Sequence, residues 1–139
     1  MVKSVRSGME RMTAMSVGDL SAEHFERLKT AGVDAIEISM ADSRYPLIDW
    51  RKVVRIAKET EMRFWSFHLP FSPFHTNNIA STDAFVRNTT VDYLKVLIDR
   101  AAGYAGIRTF VIHASGEPIA PETRAARMEY AKEGLAQLC

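Results

Sequence analysis

Apolar and polar positions along the chain follow two periods, and together they predict four strands that alternate with four helices. The strands are predicted in MTAMSV (12–17), VDAIEISM (33–40), MRFWSFHLP (62–70) and IRTFVIH (107–113). The third and fourth of these are nearly continuous apolar runs, which is typical of parallel strands covered on both faces. The pattern therefore predicts a sheet with helices packed against it.

The segments between and after these strands carry apolar residues at three- and four-residue spacing, as amphipathic helices do. The first helix is predicted between Ser21, a suitable N-cap, and Gly32, a residue that adopts the left-handed conformation at a helix end. The other helices are predicted over residues 47–60, 82–104 and 121–138. A strand followed by a helix is therefore predicted four times in succession.

This alternation predicts right-handed βαβ units, and hence an α/β fold with a parallel sheet. Two architectures satisfy the order: an open doubly wound sheet, or part of a (βα)₈ barrel. We interpret residues 1–11 as a polar N-terminal lead-in and residues 12–139 as a single domain, because no linker or low-complexity tract divides the chain.

The composition is that of a globular protein without a strong charge. The chain has 139 residues, and 18 basic and 17 acidic residues leave a net charge of +1. That balance provides no electrostatic footprint for nucleic acid, and no apolar run approaches the ~20 residues of a membrane span. The single cysteine, Cys139, excludes an intramolecular disulfide, and the N-terminus lacks the apolar core of a signal peptide. We therefore expect a cytoplasmic protein that binds neither membranes nor nucleic acid.

Histidines end two of the predicted strands. RFWSFHLPFSPFH places His68 at the end of the third strand, IRTFVIHASGEP places His113 at the end of the fourth, and Glu37 comes late in the second. The carboxyl ends of parallel strands meet at one mouth, where α/β proteins bind ligands. Imidazole is also the commonest protein ligand of divalent transition metals. We therefore predict a substrate or metal site there, the alternative being that each histidine only hydrogen-bonds loop backbone.

Two histidines fall short of the three protein ligands that a catalytic zinc site usually has. His75 lies in the loop after the third strand and could approach the mouth, although a loop histidine is more often solvated. Glu37 alternates with Ile36 and Ile38, so its side chain is predicted to point away from theirs. A carboxylate on the barrel interior needs a partner, which we expect to be Arg44 or a metal.

Three stretches of the sequence together resemble a known superfamily. LSAEHFERLKTAGVDAIEIS (20–39), SFHLPFSP (66–73) and FVIHAS (110–115) resemble the xylose isomerase-like TIM-barrel superfamily, and the resemblance extends over roughly residues 12–138. This superfamily includes sugar phosphate isomerases/epimerases and the endonuclease IV type of DNA repair enzyme. The resemblance implies that His68 and His113 match strand-end histidines, which bind zinc in endonuclease IV-like members and line the substrate mouth in many isomerases.

The resemblance also implies an incomplete barrel. A TIM barrel needs about 250 residues, whereas this chain stops at Cys139, after its fourth strand–helix unit. We therefore expect the parallel (βα)₄ N-terminal half of a TIM barrel, a truncated form whose proton-transfer carboxylates lie beyond residue 139. Such a chain is not expected to be active alone. Because the first and fourth strands would expose parallel edges, we expect self-association into a homo-oligomer to complete the fold.

The function that the resemblance implies is isomerisation or epimerisation of a sugar or sugar phosphate. In that chemistry a carboxylate removes a proton beside a carbonyl, while a divalent metal (Zn, Mn or Mg) polarises the oxygens. Glu37, His68 and His113 would bind substrate, and the two histidines would supply part of a metal site. Two alternatives are an endonuclease IV-like fragment acting at abasic sites, which the near-neutral charge disfavours, and a non-catalytic half-barrel that serves as a structural or binding module.

Overall fold

One four-stranded parallel sheet and four α-helices form the protein in the computed structural model, which describes residues 14–115 and 118–139. The strands are β1 (Ala14–Val17), β2 (Ala35–Ile38), β3 (Arg63–His68) and β4 (Phe110–Val111). The helices are α1 (Ala22–Thr30), α2 (Trp50–Glu59), α3 (Ala84–Ala105) and α4 (Pro121–Leu138), and a 3₁₀ helix (Asp42–Leu47) precedes α2.

Each strand pairs in parallel with the next one along the chain, so the sheet order is β1-β2-β3-β4. Each α-helix also packs against the following α-helix. This arrangement results when right-handed βαβ units advance in one direction, because every helix then lies on the same side of the sheet. A doubly wound sheet would instead reverse its strand order at a switch point. The α/β prediction is confirmed, and the sheet is one half of a (βα)₈ barrel.

Capping residues determine where the helices begin, and they shift two of the predicted boundaries. α2 begins after Asp49, whose Oδ1 accepts a 3.1 Å hydrogen bond from Lys52 N, and not at residue 47. α3 begins after Asp83, whose Oδ1 accepts a bond from Phe85 N, and not at residue 82. α4 has the predicted bounds. Within the described part of the chain, none of the helices has the length and apolar character needed to cross a bilayer.

The strands are shorter than the apolar runs that predict them. β4 contains only two paired residues, Phe110 opposite Phe67 and Val111 opposite His68, where seven were predicted. In the described sheet β4 is an edge strand and pairs with β3 only. The apolar run 107–113 is therefore longer than the part of it that pairs with another strand. β1 begins at Ala14; the predicted first two residues of this strand, and the predicted lead-in 1–11, lie outside the described residues.

Phe67 lies at the centre of the core between the sheet and the helices. It is fully buried, and its ring centroid lies 5.4 Å from that of Tyr45, 5.5 Å from Trp50 and 6.3 Å from Phe110. Ile38, its partner on β2, is also fully buried. This face of the sheet therefore packs against the helices, and the alternate positions of each strand face the other way.

Trp65 departs from the burial that its apolar run predicts, because 55% of its surface is exposed. The register between β2 and β3 shifts at this point: Ile36 pairs with Phe64, whereas Glu37 pairs with Ser66. Trp65 is the extra residue of this bulge and has no partner on β2. A one-residue shift of this kind depends on strand pairing, so the local sequence does not reveal it.

Candidate functional site

The carboxyl ends of β3 and β4 bring two histidines into contact. His68 is the last residue of β3, and His113 follows β4 by two residues. Val111 pairs with His68, and residues two apart on an extended chain share a face, so His113 lies on the same side as His68. The two Nε2 atoms are 3.1 Å apart, and the ring centroids are 5.0 Å apart.

The hydrogen bonds of this histidine pair assign different roles to its two members. Nδ1 of His68 lies 3.0 Å from the carbonyl oxygen of Leu69. Because a carbonyl oxygen only accepts, Nδ1 of neutral His68 carries the proton and Nε2 carries a lone pair. Nε2 of His113 is then the donor in the bond between the rings. His68 therefore presents an oriented acceptor nitrogen, and His113 presents an N–H.

Glu37 faces away from the helices, as its alternation with neighbouring residues predicts. Ile36 and Ile38 are fully buried, whereas Glu37 is partly exposed. Oε2 of Glu37 accepts a 2.7 Å hydrogen bond from the hydroxyl of Ser66. The partner of Glu37 is thus Ser66 and not Arg44, which lines a cleft between the loop after β1 and the start of α2.

Ser66 connects Glu37 to the strand that carries the histidine pair. Ser66 and His68 are two residues apart on β3, so they share the open face of the sheet with Glu37. Sequence reasoning misses Ser66, although a signal is present: it is the polar residue inside the apolar run RFWSFH. The hydroxyl of Ser66 provides a hydrogen bond to a carboxylate that would otherwise face the open side of the sheet unpaired.

Two phenylalanines of the loop after β3 border the histidine pair. The ring of Phe71 stacks on His113, with centroids 4.5 Å apart and planes 27° apart. The same ring contacts His68 edge-on at 5.3 Å, and Phe74 lies 5.8 Å beyond it. Neither residue is predicted as part of a site from the sequence, although both lie in PFSPF directly after His68 and Leu69. They form an apolar wall beside two polar rings.

Most of the chain matches one known protein family. Residues 25–139 match the family described as xylose isomerase-like TIM barrel. The chain belongs to this family. The matched part of this xylose isomerase-like chain contains Glu37, His68 and His113. Among curated proteins, no relative matches the chain at a significant level.

Solved structures share the fold of this xylose isomerase-like chain. A D-psicose 3-epimerase solved in the presence of D-fructose has a TM-score of 0.68 and 18% identity, over 92% of this chain and 48% of its own. The 3-keto-D-glucoside 4-epimerase from E. coli has a TM-score of 0.67 and 14% identity, over 92% and 52%. An AP endonuclease, family 2, from Brucella melitensis has a TM-score of 0.58 and 18% identity, over 91% and 51%. The chain therefore spans about half the length of these structures.

The histidine pair of this family member fits part of a metal site. In a tetrahedral zinc site with bonds of ~2.0–2.1 Å to nitrogen, two ligating nitrogens are about 3.3 Å apart. The 3.1 Å between the two Nε2 atoms is close to that spacing. The carbonyl of Leu69 on His68 Nδ1 is also the kind of outer partner that a ligating histidine usually has. Among residues 14–115 and 118–139, however, no group of three or more His, Cys, Asp or Glu residues is placed to hold a metal.

The other two histidines have different surroundings. Nδ1 of His24 is hydrogen-bonded to Arg27 on α1 at 3.3 Å, and His75 is an exposed residue of the loop after β3. Neither shares a hydrogen bond or ring contact with His68 or His113 in the described part of the chain. They therefore serve as matched controls for substitutions in the histidine pair.

Proposed function

We propose that this chain forms the N-terminal half of the substrate mouth of a metal-dependent isomerase or epimerase acting on a sugar or sugar phosphate. The observation that carries the proposal is the pair of strand-end histidines, His68 and His113, with Nε2 atoms 3.1 Å apart. Glu37 lies on the same open face of the sheet. The similarity of the fold to two sugar epimerases supports this assignment.

The polar groups of the mouth complement the hydroxyl and carbonyl groups of a sugar. The carboxylate of Glu37 accepts hydrogen bonds from hydroxyl groups. Without a metal, the bond between the two histidines would open, so that Nε2 of His68 accepts from a hydroxyl group and the Nε2–H of His113 donates to an oxygen. The rings of Phe71 and Phe74 provide the apolar surface that ligand sites combine with a few oriented polar groups. Together these side chains are proposed to bind and orient the substrate.

A divalent cation (Zn, Mn or Mg) held in part by His68 and His113 would polarise the substrate oxygens next to the reacting carbon. With both Nε2 atoms as ligands, the proton of His113 resides on Nδ1, while His68 keeps its present tautomer. We propose that the remaining ligands, and the carboxylates that move the substrate proton, are supplied from outside this chain. The chain alone is then expected to bind substrate without converting it.

A titration with D-fructose, followed by ¹H–¹⁵N NMR, tests the substrate site. We expect shifts at residues 37, 66–72 and 111–115, with a Kd on the order of 1–10 mM. In Glu37→Gln an amide N–H₂ replaces one accepting oxygen, so we expect binding to weaken about 10-fold. Glu133→Gln, on the exposed face of α4, is the matched control. Unchanged affinity in Glu37→Gln, or shifts confined to other surfaces, would contradict the proposed site.

A second candidate function is DNA repair at abasic sites, favoured by the similarity to an AP endonuclease of family 2. The net charge of +1 disfavours it, because binding to the phosphate backbone relies on clustered lysines and arginines. The same NMR titration with an abasic-site duplex separates the candidates. Shifts at the histidine pair that fall steeply with added salt would favour DNA, and their absence would favour the sugar.

We also propose that the open face of the sheet is covered by a second copy of this chain. Strands β1 and β4 are the two edges of the described sheet, and each has a neighbouring strand on one side only. Exposed strand edges of this kind are usually paired or covered by a partner. A two-fold axis along the barrel axis would place β4 of one copy beside β1 of the other in parallel, which makes an eight-stranded ring with both histidine pairs at one mouth.

Light scattering at micromolar concentration measures this association. We expect a mass of about twice the 15.6 kDa of the chain, and a shift toward the single-chain mass in Ser16→Lys, which places a charge on the edge strand β1 that the second copy would join. Val96→Lys, at an exposed position of α3, is the control and should remain dimeric. A wild-type chain that is monomeric under these conditions would rule the dimer out.

A further inference from the structure

The 3₁₀ helix between β2 and α2 contacts both ends of the segment that carries the histidine pair. The hydroxyl of Tyr45 donates a 2.6 Å hydrogen bond to the backbone carbonyl of His68. Oδ2 of Asp42, at the start of the same 3₁₀ helix, accepts a 2.6 Å bond from Ser72 N. These two bonds bracket residues 68–72, the segment that holds one histidine and the phenylalanine ring stacked on the other.

Tyr45 is built into the core in a way that fixes the direction of its hydroxyl. Its side chain is 2% exposed, and its ring packs edge-on against Phe67. The hydroxyl oxygen also accepts a hydrogen bond from Met40 N at 3.3 Å, so it joins the end of β2 to the end of β3. Burial raises the pKa of Tyr45, which keeps the phenol protonated and able to donate throughout the neutral range.

We propose that Tyr45 and Asp42 are positioning residues, which hold residues 68–72 so that His68 presents its Nε2 lone pair to His113. Neither residue is proposed to contact substrate or metal. The inference rests on the proposed binding role of the histidine pair, and it adds the element that orients this pair. The orientation of the histidine pair then depends on the 3₁₀ helix that follows β2 as well as on β3, the strand that bears His68.

The physical link is the backbone between His68 and Leu69. The carbonyl of His68 accepts from Tyr45, and the next carbonyl, that of Leu69, accepts from Nδ1 of His68. Losing the first bond leaves this peptide group held on one side only, by the 2.9 Å bond from Leu69 N to the carbonyl of Val111, and so loosens the backbone that leads to the second acceptor. The imidazole of His68 would then lose its fixed tautomer and orientation. Outer partners of ligating histidines typically change metal affinity 10–100-fold when they are removed.

The experiment compares zinc affinity and imidazole tautomers in variants that change only the proposed contacts. Tyr45→Phe keeps the buried ring and removes the hydroxyl, and we expect the zinc Kd to rise about 10-fold. Imidazole ¹H–¹⁵N spectra without metal are expected to show His68 changing from one tautomer to a mixture. Tyr104→Phe is the matched control, because Tyr104 near the end of α3 is 51% exposed and shows no hydroxyl hydrogen bond to another described residue.

Asp42 provides a second test with its own conservative rescue. Asp42→Ala removes the acceptor of Ser72 N and is expected to raise the zinc Kd in the same way, whereas Asp42→Asn keeps a side-chain oxygen and should restore affinity near wild type. A lower melting temperature with unchanged zinc Kd and unchanged His68 tautomer would mean a purely structural role and would overturn the inference. If the wild-type chain binds no zinc, the proposed metal site fails, and the metal-free imidazole spectra alone decide the positioning role.

Discussion

Replacing both His68 and His113 by alanine is expected to abolish zinc binding by the purified chain. The two Nε2 atoms are 3.1 Å apart, and among the described residues no group of three or more His, Cys, Asp or Glu side chains is placed to hold a metal. Loss of a single outer partner typically costs 10–100-fold in metal affinity, so the loss of both ligands should cost more than about 100-fold. Competition with a chromophoric chelator at neutral pH, together with metal analysis of the purified protein, measures this change.

His24→Ala/His75→Ala is the matched control, because it removes the same number of imidazoles from outside the pair. We expect this control to bind zinc as the wild type does. Zinc binding that survives in His68→Ala/His113→Ala would place the metal elsewhere. No bound zinc in the wild type, with the same melting temperature in the pair variant, would instead favour the non-catalytic half-barrel that serves as a structural or binding module.

Phe67→Ala is expected to lower the free energy of unfolding by about 3–5 kcal/mol, because it empties the centre of the core. The ring is fully buried and contacts three other aromatic rings, those of Tyr45, Trp50 and Phe110. Native domains have free energies of unfolding of only about 5–15 kcal/mol, so this single change removes a large fraction of the total stability. Urea unfolding followed by far-UV circular dichroism measures the difference as a lower midpoint at an unchanged slope.

Phe85→Ala tests whether the loss at Phe67 comes from burial and not from the chemical change itself. Phe85 is 76% exposed near the start of α3, so its replacement should change stability by no more than about 0.5 kcal/mol. Equal losses in the two variants would contradict the assignment of Phe67 to the core. Phe67 directly precedes His68. The zinc affinity of Phe67→Ala should therefore be measured without urea, at a temperature where the variant is folded.

The predictions that succeeded depend on local chemistry. The order of strands and helices follows from periodicity, since apolar residues must face the core whichever elements they belong to. Ser21 caps α1 because its hydroxyl accepts a backbone hydrogen bond, and Gly32 adopts a left-handed φ of 85° after the helix because it has no Cβ. The bounds of α4 agree with the prediction because Pro121 suits the first turn of a helix.

The boundaries that differed depend on competition between neighbouring signals. Residues 47–60 carry a helical apolar pattern, but the carboxylate of Asp49 caps the chain at a later point, after a 3₁₀ helix that contains Pro46. Trp65 belongs to an apolar run, yet a shift in register between β2 and β3 leaves it exposed. The start of α2 is therefore set by a capping bond from Lys52 to Asp49, and the exposure of Trp65 is set by the pairing of β3 with β2.

By itself, the sequence determined the α/β fold, the parallel direction of its strands and the presence of histidines at two strand ends, because these follow from periodicity and from the connections between consecutive elements. Only the tertiary structure decided that His68 and His113 share a hydrogen bond, that Ser66 rather than Arg44 is the partner of Glu37, and that Tyr45 binds the carbonyl of His68. Each of these contacts joins residues between 23 and 45 positions apart. Their distances depend on strand register and on the packing of the core, which no local pattern of residues specifies.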